Sequence, residues 1–480
     1  MSLANKTVLG VAWNFTEQLV RRGLGIVVTL LLARFLTPDD FGLVAMMAVF
    51  LALGTTIMES GLQQALIRLK VAQQVDLDTA FIANIALGSL SYLTLFFLAP
   101  FIADFYDQRV LIELIRVASL GIFVNSLRVV QVAVLSRSLN FKVLFLVNLP
   151  AALISGSVAV FLAFSGWGVW ALVIQILLSS SLITILIWSK NIWRPSFGFS
   201  LVSLKTMYSF SYKLFLSGML DTVFRNIYLI VIGKFFSASV AGIYFFADKI
   251  KELLVSQLVL SVQTVTYPAL STFQDDNLRL KSGFRKVISA TTFIMFPVMS
   301  LLAALATPIF EYFLPKEWYP SAINLQLMLM ASLLYPVHSI NLNILTIKGR
   351  SDLFLYLEVL KKGMVLLILG VSFQYGVIGM LYGQIVSSVL AYIPNSYFSK
   401  QLIDYRVSEQ LIDFLPGLAL SGVIASIIYI IQFWINWPPL LEIILFGALG
   451  AVLYLAGSSL FKLAGYSLVK ALYLEKLRKF

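Results

Sequence analysis

The sequence predicts an all-α protein that crosses a membrane many times. Its mean hydropathy is +0.91, and 60% of its 480 residues are hydrophobic while only 12% are charged, about half the charged share of soluble proteins. Apolar runs of about 20 residues, the length that a helix needs to cross a bilayer, recur from end to end. Strands of a membrane β-barrel would alternate over about ten residues, whereas 27–32 and 366–371 are apolar without alternation. The barrel alternative is therefore excluded.

The apolar runs predict about fourteen spans. The fourth contains Arg116, Asn125, Arg128 and Gln131, and Pro336 breaks the tenth, so these two are the least regular. Loops between the runs are short, which leaves no room for an extramembrane domain. The predicted spans are 7–34, 41–67, 80–103, 110–136, 143–165, 169–189, 207–235, 239–269, 285–309, 321–346, 353–373, 377–399, 413–434 and 440–463.

The distribution of Lys and Arg predicts that both termini are cytoplasmic. With a cytoplasmic N-terminus and an even number of spans, about 21 cations fall on the cytoplasmic side and about four on the outer side, the bias that membrane insertion favours. The outer cations are Arg34, Arg109, Lys234 and Lys316. The cytoplasmic cations are Lys6, Arg68, Lys70, Arg137, Lys142, Lys190, Arg194, Lys205, Arg279, Lys281, Arg285, Lys286, Lys348, Arg350, Lys400, Arg406, Lys462, Lys470, Lys476, Arg478 and Lys479.

Three cytoplasmic segments are candidates for short surface helices. The basic and apolar residues of the tail suit an anionic membrane surface, although all three segments could equally be simple topology anchors. The segments are "STFQDDNLRLKSGFRK", "NIWRPSFGFSLVSLK" and the tail "SLVKALYLEKLRKF".

Residue types exclude several kinds of site. The chain has no cysteine and a single histidine, His338, so we expect no disulfide, no thiolate chemistry and no histidine-based metal site. The apolar N-terminal stretch contains Glu17, Arg21 and Arg22 and lacks a small-residue cleavage site. We therefore predict a retained first helix and not a cleaved signal peptide.

A short motif recurs about 200 residues along the chain. "LLARFLTPDDFGLVAM" at 31–46 is echoed by "VIGKFFSASVAGIYFF" at 231–246. A second echo links "GWGVWALVIQ" at 166–175 with "QYGVIGMLYGQ" at 374–384. At an offset of 200 the matching pairs are Arg34 with Lys234, Phe35 with Phe235, Thr37 with Ser237, Gly42 with Gly242 and Leu43 with Ile243.

The repeat predicts the domain organisation. Spans 1–6 and 7–12 would be two copies of one six-helix unit, related by a pseudo-two-fold axis along the membrane normal, and spans 13 and 14 would lie outside the repeat. In transporters with parallel repeats, the substrate site lies at the interface between the halves. The predicted divisions are an N-lobe at 1–195, a C-lobe at 196–400, and the last two spans with a basic cytoplasmic tail at 401–480.

Several segments resemble one family of membrane transporters. The chain is similar over 1–465 to the polysaccharide-transporter family (Wzx-type, colanic and teichuronic acid exporter-like) of the multidrug/oligosaccharidyl-lipid/polysaccharide flippase superfamily. The segments that carry the resemblance are "LARFLTPDDFGLVAM", "LSRSLNFKVLFLVNLP", "RNIYLIVIGKFFSASVAGIYFFADKI", "YPALSTFQDDNLRLKSGFRK" and "KEWYPSAINLQLMLMASLLYPVHSINLNILTIKGRSDLFLYLEVLKK".

The resemblance implies a fold and a function. The expected fold has two six-helix lobes facing each other in a V, plus two extra helices. The expected function is flipping of an undecaprenyl-diphosphate-linked oligosaccharide from the inner to the outer leaflet of a bacterial plasma (inner) membrane, for O-antigen, capsule or exopolysaccharide synthesis. The implied partners are that glycan, membrane lipids and polysaccharide polymerase or assembly proteins. We expect a monomer that binds no nucleic acid.

Charged residues inside the spans are the candidate functional residues. A charge at the bilayer centre costs about 2.5–3.5 kcal/mol on insertion scales, so such residues usually pair or face a wet cavity. Glu17 with Arg21, and Asp221 with Arg225, are each four residues apart and share a helix face. Each pair could neutralise itself within its helix, or spans 1, 7 and 8 could line a central cavity.

The excess of cations favours an anionic substrate. Arginine suits a diphosphate because its planar fork can bind two oxygens at once, and a drug or cation exporter would present an excess of acids. Arg21 and Arg225 lie deepest in their spans, whereas Lys213 and Arg116 lie closer to membrane edges. The candidate substrate-binding cations are Arg21, Arg22, Arg116, Arg128, Lys213, Arg225 and Lys249. The candidate carboxylates are Glu17, Asp221, Asp248 and Glu252.

The carboxylates have two possible roles. A buried carboxylate with a raised pKa can exchange a proton, so Asp221, Asp248 and Glu17 could couple transport to a gradient of H⁺ or Na⁺. The favoured alternative makes them counter-ions of neighbouring arginines. No other cofactor and no metal is expected. His338, just after Pro336, is interpreted as a hydrogen-bonded structural histidine.

No catalytic set is visible, so the chain is predicted not to be an enzyme. An intramembrane glycosyltransferase or polymerase would normally have a large polar outer loop, and the longest here holds only Glu311, Lys316 and Glu317. The alternatives within transporters are a drug/cation antiporter and a peptidoglycan-precursor flippase of the same superfamily.

Overall fold

The structure is a computed structural model that describes residues 3–435 and 437–477. Within this part of the chain, side chains are not described for 3–12, 14–15, 256–265, 267–269 and 472–477. Arg478 and Lys479 lie outside the described residues, as do the side chains of Lys6 and Lys476. Every regular element of the described chain is helical, as the composition predicts.

The first nine helices run through the segment that contains the first copy of the repeat and the start of the second. Most are long and apolar over most of their length, with polar residues at the breaks. They are α1 (Leu3–Ala33), α2 (Pro38–Glu59), α3 (Leu62–Arg68), α4 (Gln74–Tyr106), α5 (Leu111–Ser126), α6 (Val129–Arg137), α7 (Phe141–Phe164), α8 (Trp170–Trp188) and α9 (Leu201–Phe235).

Ten helices follow. The predicted break at Pro336 is confirmed: one helix ends at Ser332 and the next begins at Tyr335, with Pro336 in its first turn, where the missing N–H does no harm. The helices are α10 (Ala238–Ser271), α11 (Asn277–Ala304), α12 (Ala306–Phe313), α13 (Pro320–Ser332), α14 (Tyr335–Ile347), α15 (Ser351–Ser372), α16 (Gly376–Ile403), α17 (Val407–Gln432), α18 (Pro439–Leu460) and α19 (Ala464–Leu477).

The membrane character of the chain is confirmed. Ten helical segments of the described chain are long and apolar enough to cross a membrane, or eleven if α5 and α6, bent by 43° at their junction, form one span. The bend falls at Leu127 and Arg128, inside the predicted fourth span. A charged residue within an apolar run thus coincides with an interrupted helix.

Two of the three candidate segments do not form separate surface helices. Asn277 begins α11, so most of "STFQDDNLRLKSGFRK" is the first part of a span and not a separate surface helix. Residues 193–200 are not helical, and the remainder of "NIWRPSFGFSLVSLK" begins α9. The candidate segment in the tail does contribute to a separate helix, α19.

Contacts divide the chain into two compact units, Met1–Phe245 and Phe246–Phe480. The predicted division after residue 195 rests on the repeat and stays a prediction. Each unit has its own buried apolar cluster. The cluster of the first unit includes Leu62, Leu66, Phe81, Val130 and Trp193, and that of the second includes Phe284, Phe296, Val337, Tyr405 and Phe414.

Helix α9 packs within the first unit, against α2, α3 and α4. The hydroxyl of Thr222 lies 3.1 Å from that of Thr56 on α2. At the far end of α9, Lys234 Nζ donates to Asp107 Oδ2 at 3.3 Å. The middle and the C-terminal end of α9 are therefore tied to α2 and to the C-terminal end of α4.

A buried carboxylate anchors the segment that joins α8 to α9. Asp78 is 1% exposed, and its oxygens accept hydrogen bonds from the backbone N–H groups of Ser196 at 3.1 Å and Gly198 at 3.2 Å, and from the Ser196 hydroxyl. The neighbouring Gln74 donates to the Arg194 carbonyl at 2.9 Å and accepts from the Trp193 indole at 3.1 Å. The non-helical backbone is thus satisfied by α4, as buried backbone groups require.

Replacing Asp78 with alanine should loosen this segment. The substitution leaves two backbone N–H groups without their acceptor, which costs about 1–3 kcal/mol when such groups stay buried. We expect a lower unfolding temperature for the detergent-purified protein and faster hydrogen exchange at 196–200. The exposed Asp275→Ala is the matched control, and equal changes in both variants would contradict the anchoring role.

The two copies of the repeated motif begin their helices in the same way. α2 starts at Pro38 after Thr37, whose hydroxyl accepts from Asp40 N at 3.4 Å. α10 starts at Ala238 after Ser237, whose hydroxyl accepts from Val240 N at 3.2 Å. Ser and Thr are favoured at this position because they satisfy an unpaired N–H of the first turn. The motif therefore encodes the same helix start twice.

These two helix starts also touch each other through equivalent glycines. A Cβ placed on Gly42 would lie 1.8 Å from the carbonyl oxygen of Ala238, and a Cβ on Gly242 would lie 1.8 Å from that of Pro38. Either distance is far below van der Waals contact. The matching glycines of the repeat are thus required for α2 and α10 to cross backbone to backbone.

Candidate functional site

The charges of α1 form a hydrogen-bonded cluster. Glu17 is 8% exposed and accepts from Arg21 Nε at 3.1 Å and from Asn148 Nδ2 of α7 at 2.9 Å. The predicted four-residue pairing of Glu17 with Arg21 is therefore confirmed. The Arg21 side chain is 52% exposed, so its charge remains accessible, and Arg22 beside it is half-buried.

A second arginine approaches this cluster from the break between α5 and α6. Arg128 is the residue before α6 and is half-buried. It is attracted to Glu59, the last residue of α2, and repelled by Arg21. The bend of 43° thus places the Arg128 guanidinium near Glu59 and near Arg21, which is paired with Glu17.

Glu59 is a residue that the sequence analysis missed. It is an acid at the end of an apolar run, within the predicted span 41–67, and was detectable as a charge inside a span. The same signal was present for Glu358 and Lys361 within the span 353–373, which form an ion pair on α15. These three charges belong with the intramembrane residues.

The candidate charges of α9 lie on exposed parts of that helix. Asp221 and Arg225 are exposed and each interacts with a neighbouring group. Lys213 is exposed, and its Nζ lies 5.9 Å from the centre of the Tyr212 ring, within reach of a cation–π contact. These side chains of α9 are therefore accessible, while the adjacent Thr222 contacts Thr56 of α2.

The α10 charges and Arg116 have different surroundings. Asp248 forms an ion pair with Lys251 one turn further along α10. Lys249 is exposed and Glu252 half-buried. Arg116 donates from Nε to the Phe96 carbonyl of α4 at 3.3 Å, with its Cζ 4.4 Å from the centre of the Phe96 ring. Arg116 is thus engaged in packing α5 on α4.

His338 is hydrogen-bonded, as predicted for a structural histidine. Asn395 Nδ2 of α16 donates to its Nδ1 at 3.0 Å, and its Nε2 lies 3.5 Å from the Ser388 hydroxyl. The ring thereby ties α14 to α16. Among the described residues, no three acidic or histidine side chains are grouped as metal ligands.

Taken together, the structure assembles Arg21, Arg128, Glu17 and Glu59 from α1, α2 and the α5–α6 break of the first unit. Such a site can hold an anion between two guanidiniums, each of which has a carboxylate to neutralise it when the site is empty. Arginine forks are suited to phosphate oxygens in particular.

Comparison with known proteins supports the predicted family. The chain is 26% identical over 400 residues to the lipopolysaccharide biosynthesis protein WzxC of Escherichia coli (strain K12). The aligned region covers 82% of this chain and 81% of that protein. It is 24% identical over 429 residues to the teichuronic acid biosynthesis protein TuaB of Bacillus subtilis (strain 168), covering 89% and 86%.

The fold also has a solved counterpart. The inward closed conformation of the lipid II flippase MurJ superposes with a TM-score of 0.76 at 17% identity, over 95% of this chain and 98% of that one. Residues 31–323, more than half of the chain, match the family described as polysaccharide biosynthesis protein. The chain therefore belongs to the polysaccharide biosynthesis protein family.

Proposed function

We propose that the protein is a flippase that moves a polyprenyl-diphosphate-linked oligosaccharide across a bacterial inner membrane by alternating access, for synthesis of a surface polysaccharide. The names of its relatives refer to lipopolysaccharide and teichuronic acid biosynthesis. The similar fold belongs to a lipid II flippase, so the same architecture serves a lipid-linked glycan elsewhere. We infer transport and not catalysis, because the similar solved fold is that of a flippase and the cluster of α1, α2 and the α5–α6 break is suited to binding.

The observation that carries this proposal is the electrostatic repulsion between Arg21 and Arg128, which lie on separate helices. Both residues lie within predicted spans, where each charge is already costly. Such an arrangement is stabilised when an anion binds both. A lipid diphosphate carries the charge and the multiple acceptor oxygens that two guanidiniums can share.

The remaining candidate cations extend this site in the proposal. Arg22, Lys213, Arg225 and Lys249 would meet the diphosphate or acidic sugars along the path, and Arg116 would act in packing. The ion pairs of Glu17 and Asp248 support the counter-ion role for these two carboxylates. The alternative proposal is that Asp221, Asp248 or Glu17 couples transport to a gradient of H⁺ or Na⁺.

We also propose fourteen spans with both termini in the cytoplasm. The eleven candidate segments count 351–403 once, although α15 and α16 are separate helices of 22 and 28 residues. Counting α15 and α16 separately and adding α1 and α10, which have 31 and 34 residues, gives fourteen spans. The even number agrees with the positive-inside distribution. Two repeat lobes at 1–195 and 196–400, followed by 401–480, remain our proposed organisation.

Deletion of the gene tests the proposed function. We expect surface polysaccharide to disappear and lipid-linked oligosaccharide to accumulate in the inner leaflet, measured by mass spectrometry of extracted lipids. A drug/cation antiporter would instead change drug susceptibility with normal polysaccharide. A peptidoglycan-precursor flippase would accumulate lipid II. Normal polysaccharide together with normal lipid-linked oligosaccharide pools would refute the proposal.

We also propose that the protein acts as a monomer, beside polymerase or assembly proteins.

A further inference from the structure

A polar cleft lies where the last span meets the tail helix. α18 ends at Leu460 and α19 begins at Ala464, and the turn between them holds Lys462 at φ 50°. α19 is fixed against α11: a Cβ on Gly465 would lie 2.4 Å from the Ser289 carbonyl oxygen. The cleft is therefore bounded by packed helices and is not a product of a loose tail.

The lining of this cleft is basic and rich in hydroxyl groups. Its volume is about 360 Å³, and its lining residues are Ser459, Lys462, Tyr466, Ser467, Lys470 and Ala471. Lys470 Nζ lies 5.8 Å from the centre of the Tyr466 ring, a cation–π distance that holds the ammonium close to the cleft. None of the six is acidic, so the two ammonium groups have no carboxylate within the lining.

The position of the cleft limits what can fill it. α18 is one of the segments long and apolar enough to cross a membrane, so its end lies at the depth of lipid headgroups. Two ammonium groups and two hydroxyls supply donors to the oxygens of a phosphate.

We propose that the cleft between α18 and α19 binds the phosphate headgroup of an anionic phospholipid. The lysines attract the negative charge, and the serine hydroxyls donate to the phosphate oxygens. The bound lipid attaches the tail helix to the membrane surface. This site is separate from the arginine cluster of the first unit and does not depend on the proposed transport function.

The test measures lipid binding to the purified full-length protein by native mass spectrometry, with phosphatidylglycerol and phosphatidylcholine as probes. The variants are Lys462→Gln, Lys470→Gln and the double substitution. The matched control is Lys400→Gln, which removes an exposed lysine at the end of another span, α16. A further arm adds an excess of inorganic phosphate to the phosphatidylglycerol complex.

We expect one preferred phosphatidylglycerol for each chain. Each ammonium that contacts the lipid phosphate contributes a charge-assisted hydrogen bond of about 1.5 kcal/mol, so each single substitution should weaken binding about ten-fold and the double about 100-fold. Lys400→Gln should bind as the parent does, and phosphatidylcholine should bind without preference. Parent-like binding by the double variant, or an equal loss in Lys400→Gln, would overturn the proposal. Displacement of the lipid by inorganic phosphate would overturn the assignment to a lipid.

Discussion

Gly42→Val is expected to abolish export while leaving the protein in the membrane. The Cβ of the new side chain would lie 1.8 Å from the Ala238 carbonyl oxygen, so the backbones of α2 and α10 must separate by at least about 1.5 Å to reach ordinary contact distance. Overpacking of this kind costs about 1–3 kcal/mol when the structure relaxes. Gly242→Val should have the same effect because its Cβ meets the Pro38 carbonyl.

The separation itself can be measured because the chain has no cysteine. Spin labels at Asp39→Cys and Ser239→Cys, which are equivalent positions of the repeat, report the distance between the two helix starts. We expect this distance to increase in Gly42→Val. The matched control is Gly422→Val in α17, where a Cβ would meet nothing within 4 Å. An unchanged distance and normal export in Gly42→Val would show that the crossing is not needed.

The second large effect is expected for Arg21 and Arg128. Each hydrogen bond between a guanidinium and a charged acceptor contributes about 1.5–3 kcal/mol, so we expect export to fall about ten-fold or more in Arg21→Ala and in Arg128→Ala, and to become undetectable in the double variant. Arg128→Lys should retain part of the activity, because lysine keeps the charge without the two-pronged geometry. Surface polysaccharide and membrane levels of the protein are the measurements.

Two controls separate substrate binding from a purely structural ion pair. Arg116→Ala removes an arginine whose guanidinium is already used on Phe96, and it should export far better than Arg128→Ala. If Arg128 serves only to neutralise Glu59, then Glu59→Gln combined with Arg128→Gln should restore export. Restoration in that double variant would remove Arg128 from the substrate path.

Local features were predictable because they depend on residues close in sequence. Thr37 and Ser237 start helices in both copies of the motif, since a hydroxyl at that position satisfies an N–H one turn later. Glu17 meets Arg21 because four residues make slightly more than one helical turn. The break at Pro336 follows from the missing N–H of proline.

Other features could not be predicted because they depend on contacts between residues that are distant in the chain. The segment 193–200 was considered for a surface helix, yet Asp78, more than 100 residues earlier, takes its N–H groups and keeps it non-helical. Glu59 was detectable as a charge inside a span, but its interaction with Arg128 was not, because Arg128 becomes a neighbour only through the bend between α5 and α6.

The sequence by itself determined that this is a helical membrane protein of a polysaccharide biosynthesis family, with a repeated helix start and local charge pairs, because hydropathy, capping and helical spacing act over at most one span. Only the tertiary structure decided which arginines come together, that Gly42 and Gly242 meet, and that Lys462 and Lys470 share a cleft. Those relations depend on how separate helices pack, and helix spacing within one span carries no information about that packing.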